Sequence, residues 1–155
     1  MPTRAVLCYI REDGHILLQH KAPDRFGGGY WNAPGGKIAN GESPVEATIR
    51  EVREETGLTV SDLRDLGTLT FYVQGVEGPD IEAHVFIAGA FEGAVEANDE
   101  GPLEWVAEDA LPYDKMWEDD RLWLPHVLGG RRVRGSFRFS AGYEQMLDHE
   151  LEVES

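Results

Sequence analysis

Three glutamates, Glu51, Glu54 and Glu55, stand within the run Arg50-Glu51-Val52-Arg53-Glu54-Glu55-Thr56-Gly57-Leu58. A helix turns about 100° per residue, so these acids fall on one arc of about 100°. Val45, Ile49, Val52 and Thr56 share a separate arc of about 60°. One stripe can face a core while the other presents three carboxylates to a single point. Acids spaced i,i+3 and i,i+4 repel by roughly 0.2–0.5 kcal/mol per pair. They also crowd the C-terminal half of the helix, where the backbone dipole disfavours negative charge. A divalent cation reverses the sign of that arrangement, because hard cations prefer oxygen ligands.

The elements that must hold these acids are readable around them. Ser43 is placed as an N-cap, Pro44 at the first helical position and Glu46 to complete a capping box, with Gly57 ending the helix. Ala5–Ile10 and His15–His20 are short apolar runs joined through Asp13-Gly14, a hairpin signal. A glycine-rich connection, Arg25–Gly36, carries Tyr30-Trp31-Asn32. Further strands are predicted at Gly67–Val73, Ala83–Ala90 and Leu103–Val106. A second helix is predicted from Asp119-Asp120 through Trp123 toward Leu128, with Pro125 perturbing it. Val133–Phe139 and Gln145–Val153 read as a closing hairpin. This mixture predicts an α+β fold, an α/β/α sandwich with helices on the faces of a mixed β-sheet. No repeat or linker divides the 155 residues, so a single domain over 1–155 is expected.

Composition narrows the partners. Acids number 29 against 14 bases, for a net charge of −15. That excludes broad binding to a nucleic-acid polymer, which needs a basic surface. An anionic ligand would need compensation by metal, arginine or backbone amides. Cys8 is the only cysteine, which fits a reducing compartment and excludes an internal disulfide. No apolar run approaches the roughly 20 residues that span a bilayer, and the start lacks a secretory apolar core. A cytoplasmic protein without a membrane partner is expected. Gly35-Gly36-Lys37 is no phosphate-binding P-loop, since Ile38 replaces the hydroxyl residue. The five histidines lack metal-ligand spacing, and His84 reads as a satisfied core residue. The cluster Arg131-Arg132 with Arg134 is too small for a nucleic-acid platform.

From Gly36 through Glu42 to Leu58 the spacing matches every specified position of the Nudix box. Similarity extends over 25–36, 83–86, 114–123 and 135–153 to MutT-type enzymes that hydrolyse oxidised purine nucleoside triphosphates, most closely the mammalian ones. The resemblance implies that Glu51, Glu54 and Glu55, with the Gly36 carbonyl, bind Mg²⁺ (or Mn²⁺). Glu100 would serve as a further ligand or base. Choice of general base among Glu54, Glu55 and Glu100 stays open. So does the role of Arg50, either orienting a carboxylate or making a surface pair. Glu42 would anchor its loop.

The same resemblance assigns Asn32, Trp117, Asp119 and Asp120 to base recognition and Lys21 to substrate binding. Phe26 and Phe71 belong either to the pocket or to plain core. Two adjacent acids in a dry pocket can share a proton, one accepting hydrogen bonds and the other donating; helix capping is their alternative role. Trp31, Trp105 and Trp123 are assigned to the core. Pro34 and the loop Gly75–Asp80 depart from the mammalian pattern. The implied activity is Mg²⁺-dependent conversion of nucleotides such as 8-oxo-dGTP, and 2-oxo-dATP, to monophosphate and pyrophosphate by a monomer. Alternatives are a Nudix hydrolase of a dinucleoside polyphosphate or nucleotide sugar, or a nucleotide-binding regulator without catalysis.

Overall fold

Strand β1 (Thr3–Glu12) organises the structure, a computed structural model that describes residues 2–23, 28–96 and 101–154. Leu7 and Tyr9 pack on one face of β1, while Val6, Cys8 and Ile10 pack on the other. This alternation is what a strand buried on both sides requires. The other strands are β2 (His15–His20), β3 (Trp31–Asn32), β4 (Gly35–Lys37), β5 (Thr59–Val73), β6 (Ile81–Glu92), β7 (Leu103–Ala107), β8 (Val133–Phe139) and β9 (Met146–Val153). They form one sheet in the order β3-β2-β1-β6-β5-β8-β9, with β4 paired to β1 and β7 to β2. β1 runs parallel to β6 and β5 parallel to β8. The remaining pairs are antiparallel, so the sheet is mixed, as expected.

One helix covers each face. α1 (Pro44–Thr56) lies over Cys8, Ile10, Val60 and Ala88. α2 (Asp120–Leu128) sends Trp123, Leu124 and Val127 into the opposite core. There the fully buried Trp123 ring meets Tyr9 edge-on, with centroids 5.8 Å apart. Trp31 and Trp105 are partly buried against the two cores. Pro125 lies inside α2, and the helix ends one turn later, where Gly129 donates to the Pro125 carbonyl at 3.1 Å. No helix among the described residues is long and apolar enough to cross a membrane.

The caps of α1 form as read. Ser43 Oγ accepts from the Glu46 amide at 3.1 Å, and the Glu46 carboxylate accepts from the Ser43 amide at 2.9 Å. Gly57 closes the helix in the left-handed region, at φ 83°. The buried stripe differs from the expected one. It comprises Ala47, Thr48, Val52, Glu55 and Thr56, while Val45 is 45% exposed. Small Ala47 lets the helix approach the sheet. The hydroxyls of Thr48 and Thr56 satisfy themselves on the carbonyls of Pro44 and Val52, at 2.8 and 2.7 Å.

Three other expectations need correction. β5 begins at Thr59 rather than Gly67, because polar Ser61-Asp62 and Arg64-Asp65 mask a stretch that nonetheless pairs with β6. The glycine-rich connection contains β3 and β4, whose composition gives no strand signal. His84 is not a satisfied core histidine: it is half-buried, and its Nδ1 has no hydrogen-bond partner among the described residues. Its place on β6 faces Val6 and Thr68 across the ladder, so backbone pairing fixes it where the flanking strands offer the ring little polarity.

Replacing Ser43 by Ala removes one half of the reciprocal cap. Urea unfolding should show a loss of about 1 kcal/mol, with an unchanged dependence on denaturant concentration.

Candidate active site

The first residues of the site are Gly35 and Gly36, in β4. A Cβ at Gly35 would lie 2.0 Å from the Val6 carbonyl oxygen, and one at Gly36 would lie 2.6 Å from the Glu51 carboxyl carbon. At Gly35 only glycine lets β4 pair with β1, and at Gly36 the missing side chain leaves room for the Glu51 carboxylate. Arg50 spreads its guanidinium over the acids beside it. It donates to Glu42 at 2.7 and 2.9 Å, to Glu51 at 2.9 Å, to Glu54 at 3.2 Å and to the Lys37 carbonyl at 3.1 Å. Both roles left open for Arg50 are thus filled by one side chain. These hydrogen bonds hold the Glu42 carboxyl well below its usual range, at about 2. Burial raises Glu51, against the opposing pull of Arg50.

Glu55 is 8% exposed and meets the neighbouring residue of β4. It accepts from the Gly35 amide at 2.9 Å and lies 3.5 Å from Lys21 Nζ. The three box acids are shared between two cations of the chain rather than gathered on one point, as the helical arc alone suggested. Their mutual repulsion is relieved by the chain's own cations, Arg50 for Glu51 and Glu54, and Lys21 for Glu55. No group of three acidic, histidine or cysteine side chains among the described residues is gathered as a metal cage. The donor chemistry still suits a hard cation: carboxylate oxygens beside the Gly36 backbone, all on one face of α1. Glu100 and Phe26 lie outside the described residues.

Lys21 and Gly36 lead directly into a cavity of about 370 Å³ on the α2 face of the sheet. Asn32, Phe71, Trp117, Asp119 and Asp120 line it. Trp117 Nε1 donates to Asn32 Oδ1 at 3.0 Å, and Asn32 Nδ2 donates to the Tyr30 carbonyl at 3.2 Å. Each end of the amide keeps spare hydrogen-bonding capacity. Tyr30 meets the Trp117 ring edge-on at 5.0 Å, so the indole is fixed from two sides. Phe71 settles as both wall and core: it lines the cavity and stacks on Phe137, with centroids 5.6 Å apart.

Asp119 and Asp120 are 2% and 7% exposed. Asp119 makes no side-chain cap to α2; its Oδ2 accepts from Trp123 Nε1 at 2.8 Å. Burial pushes Asp119 up to about 6, against the Trp123 hydrogen bond. Asp120 is raised further by burial, by the charge of Asp119 and by the hydrogen bond between the two carboxyls. Burial and their mutual charge thus favour a proton shared between the two carboxyls.

A model of the NUDIX domain matches residues 1–127. The chain belongs to the Nudix family. An oxidized purine nucleoside triphosphate hydrolase of Danio rerio is 37% identical over 146 residues, covering 94% of this chain and 92% of that protein. The enzyme of the same name from Mus musculus is 33% identical over 134 residues, covering 86% and 84%. Among solved structures, a mutator MutT protein from Bacillus halodurans aligns with a TM-score of 0.87 at 30% identity over 97% of each chain. A divalent metal is a general requirement of Nudix hydrolases.

Sequence reading missed much of the cavity wall, including Tyr9, Ile81, Phe139 and Tyr143. The first three follow from strand alternation once the cavity-facing side is known. Tyr143 sits in a turn after β8, where no periodicity points to it.

The aspartate pair gives a pH prediction with a definite sign. Both folded values lie above the ordinary unfolded value of about 3.9. The folded state therefore binds more protons than the unfolded chain above that pH, and stability falls as pH rises. The pair's penalty is absent below pH 4 and grows through about 6. Asp119→Asn should flatten the decline in urea midpoint between pH 4.5 and 7 relative to the parent; an equal slope would contradict the assignment.

Proposed function

We propose that this Nudix hydrolase cleaves oxidised purine nucleoside triphosphates to the nucleoside monophosphate and pyrophosphate, using Mg²⁺ or Mn²⁺. It would act as a cytoplasmic monomer on free nucleotides. The observation that carries the reading is the buried Asp119–Asp120 pair beside Trp117 and Asn32 in one cavity. The names of the two vertebrate relatives support the substrate class.

The base end works by complementarity of protonation. A guanine-type edge offers N–H donors beside a carbonyl acceptor. One carboxyl of the pair, ionised, accepts from the donors, and the other, protonated, donates to the carbonyl. A base with the opposite pattern would leave buried carboxyls unpaired, which discriminates better than apolar fit. Trp117 stacks on the purine, a contact worth about 1–3 kcal/mol by analogy with other nucleobase binders. Asn32 holds the indole in place and adds its spare donor and acceptor.

The phosphate end lies at Lys21 and Gly36, where cavity and box meet. Glu51, Glu54, Glu55 and the Gly36 carbonyl would hold the cation, joined by Glu100. When bound, such an ion neutralises phosphate charge, polarises the phosphoryl group and lowers the pKa of a coordinated water. Lys21 moves from Glu55 toward the polyphosphate. Arg50 keeps Glu51 and Glu54 oriented through its fork of donors. Water attacks an internal phosphorus, the phosphoanhydride bond breaks, and pyrophosphate leaves. Of the three box acids Glu54, whose side chain is 59% exposed, is the most open to the attacking water and takes its proton.

A nucleotide panel with product analysis tests the reading. Turnover of 8-oxo-dGTP and 2-oxo-dATP should exceed that of dGTP and dATP, and also that of a dinucleoside polyphosphate and a nucleotide sugar. Preference for either of the last two would redirect the substrate class. Calorimetry showing nucleotide binding without hydrolysis in Mg²⁺ would mark a regulator instead. Glu54→Gln should lower kcat by about 10²–10⁴ while leaving the urea midpoint nearly unchanged. Full activity in that variant would overturn the role given to Glu54.

A further inference from the structure

Tyr143 carries a feature that the site so far does not use. It lies in the turn Ala141–Tyr143 at φ 61°, just after Gly142 at φ 74°. An aromatic residue in the left-handed region is strained and persists only when its surroundings fix it. Here they do. The phenol donates to Asp80 Oδ2 at 2.5 Å. The ring packs on Phe139, with centroids 5.3 Å apart, and edge-on to Trp117 at 6.0 Å. The turn is closed by Ser140 donating to the Gln145 carbonyl at 2.8 Å and by Gln145 donating to Ser140 Oγ at 3.0 Å. Met146 donates to Glu118 at 3.0 Å, tying the turn to the segment that bears Trp117.

Asp80 is itself a fixed post. Its amide donates to the Phe71 carbonyl at 2.8 Å, and its carbonyl accepts from Thr3 at 2.9 Å. Phe71, Thr3 and Tyr143 all line the base cavity. The Tyr143–Asp80 hydrogen bond thus joins the β5–β6 connection to the β8–β9 connection at the cavity wall. Burial and the Asp80 carboxylate both raise the Tyr143 phenol, which stays a donor throughout the neutral range.

We infer that Tyr143, latched to Asp80, is a positioning and specificity-determining residue that fixes the Trp117 side of the base pocket. This rests on the substrate class proposed above. The ring fills the wall beside the indole, and the latch keeps the two connections from separating. A purine then meets the aspartate pair in one register. Loss of the latch leaves the phosphate end untouched, so the effect falls on binding and selection and not on the hydrolytic step.

The test is a kinetic cycle on the full chain with Tyr143→Phe, Asp80→Ala, the double variant, Asp80→Asn and Tyr143→Ala. Rates are measured with whichever triphosphate the parent hydrolyses best and with its closest competitor. Tyr143→Phe and Asp80→Ala should each raise KM about 3–10-fold with kcat within about 2-fold. The double variant should be no worse than the poorer single one, the signature of a shared interaction. Asp80→Asn keeps an acceptor and should restore most of the affinity. Tyr143→Ala should reduce discrimination between the two nucleotides about 10-fold or more; if it fails to fold, the other variants decide. Loss in kcat with unchanged KM, additive effects, or unaltered discrimination in folded Tyr143→Ala would each overturn the inference. A parent that prefers some other nucleotide would overturn the oxidised-purine reading alone, since the cycle runs on its best substrate.

Discussion

The tight seating of β4 between β1 and α1 governs the whole site. Gly35 leaves room for the Val6 carbonyl and Gly36 for the Glu51 carboxylate. Because neither has a side chain, the strand can pair with the sheet and still offer the Gly35 amide to Glu55. The same two glycines border the base cavity. The acidic helix, the sheet and the pocket therefore meet at one pair of backbone units. A methyl group at Gly35 would push β4 off β1.

Two kinds of carboxylate environment stand a short way apart, and they behave oppositely. Beside Arg50 the acids are partly exposed and receive charge-assisted hydrogen bonds, so Glu42 stays ionised well below its ordinary range. Behind Trp117 the acids are buried beside each other, so both are pushed upward against the hydrogen bonds they accept. Under the proposed function, the first environment would keep negative charge for phosphate chemistry and the second a proton for base recognition. In a chain with a net charge of −15, this division depends on where Arg50 and Lys21 are placed.

Much of this was legible in the residues. The cap of α1, the hairpin at Asp13-Gly14, α2 and the closing pair β8 and β9 rest on local rules, and they formed where those rules placed them. The glutamates on α1 stood out by their spacing, whereas Asp119 and Asp120 were singled out mainly by resemblance to MutT-type enzymes. What stayed hidden depends on tertiary context. β3 and β4 become strands because β2 and β1 offer partners, not because Trp31-Asn32 or Gly35-Gly36-Lys37 favour extension. Val45 lies outside the core because Ala47 and Thr48 set the angle at which α1 meets the sheet. The separation of Glu55 from Glu51 and Glu54 needed the position of Lys21, which is distant in sequence.

The two helices lie on opposite faces of the sheet, and the consequence is a division of labour across its thickness. Bond breaking is assigned to a helix whose buried side contacts Cys8 and Ile10. Recognition is assigned to the far face and to turns at strand ends, among them those holding Asp80 and Tyr143. Sequence drift in those turns can change which molecule is admitted while the hydrolytic helix and its supporting core are inherited intact. One scaffold can in this way diversify its diet without reinventing its chemistry.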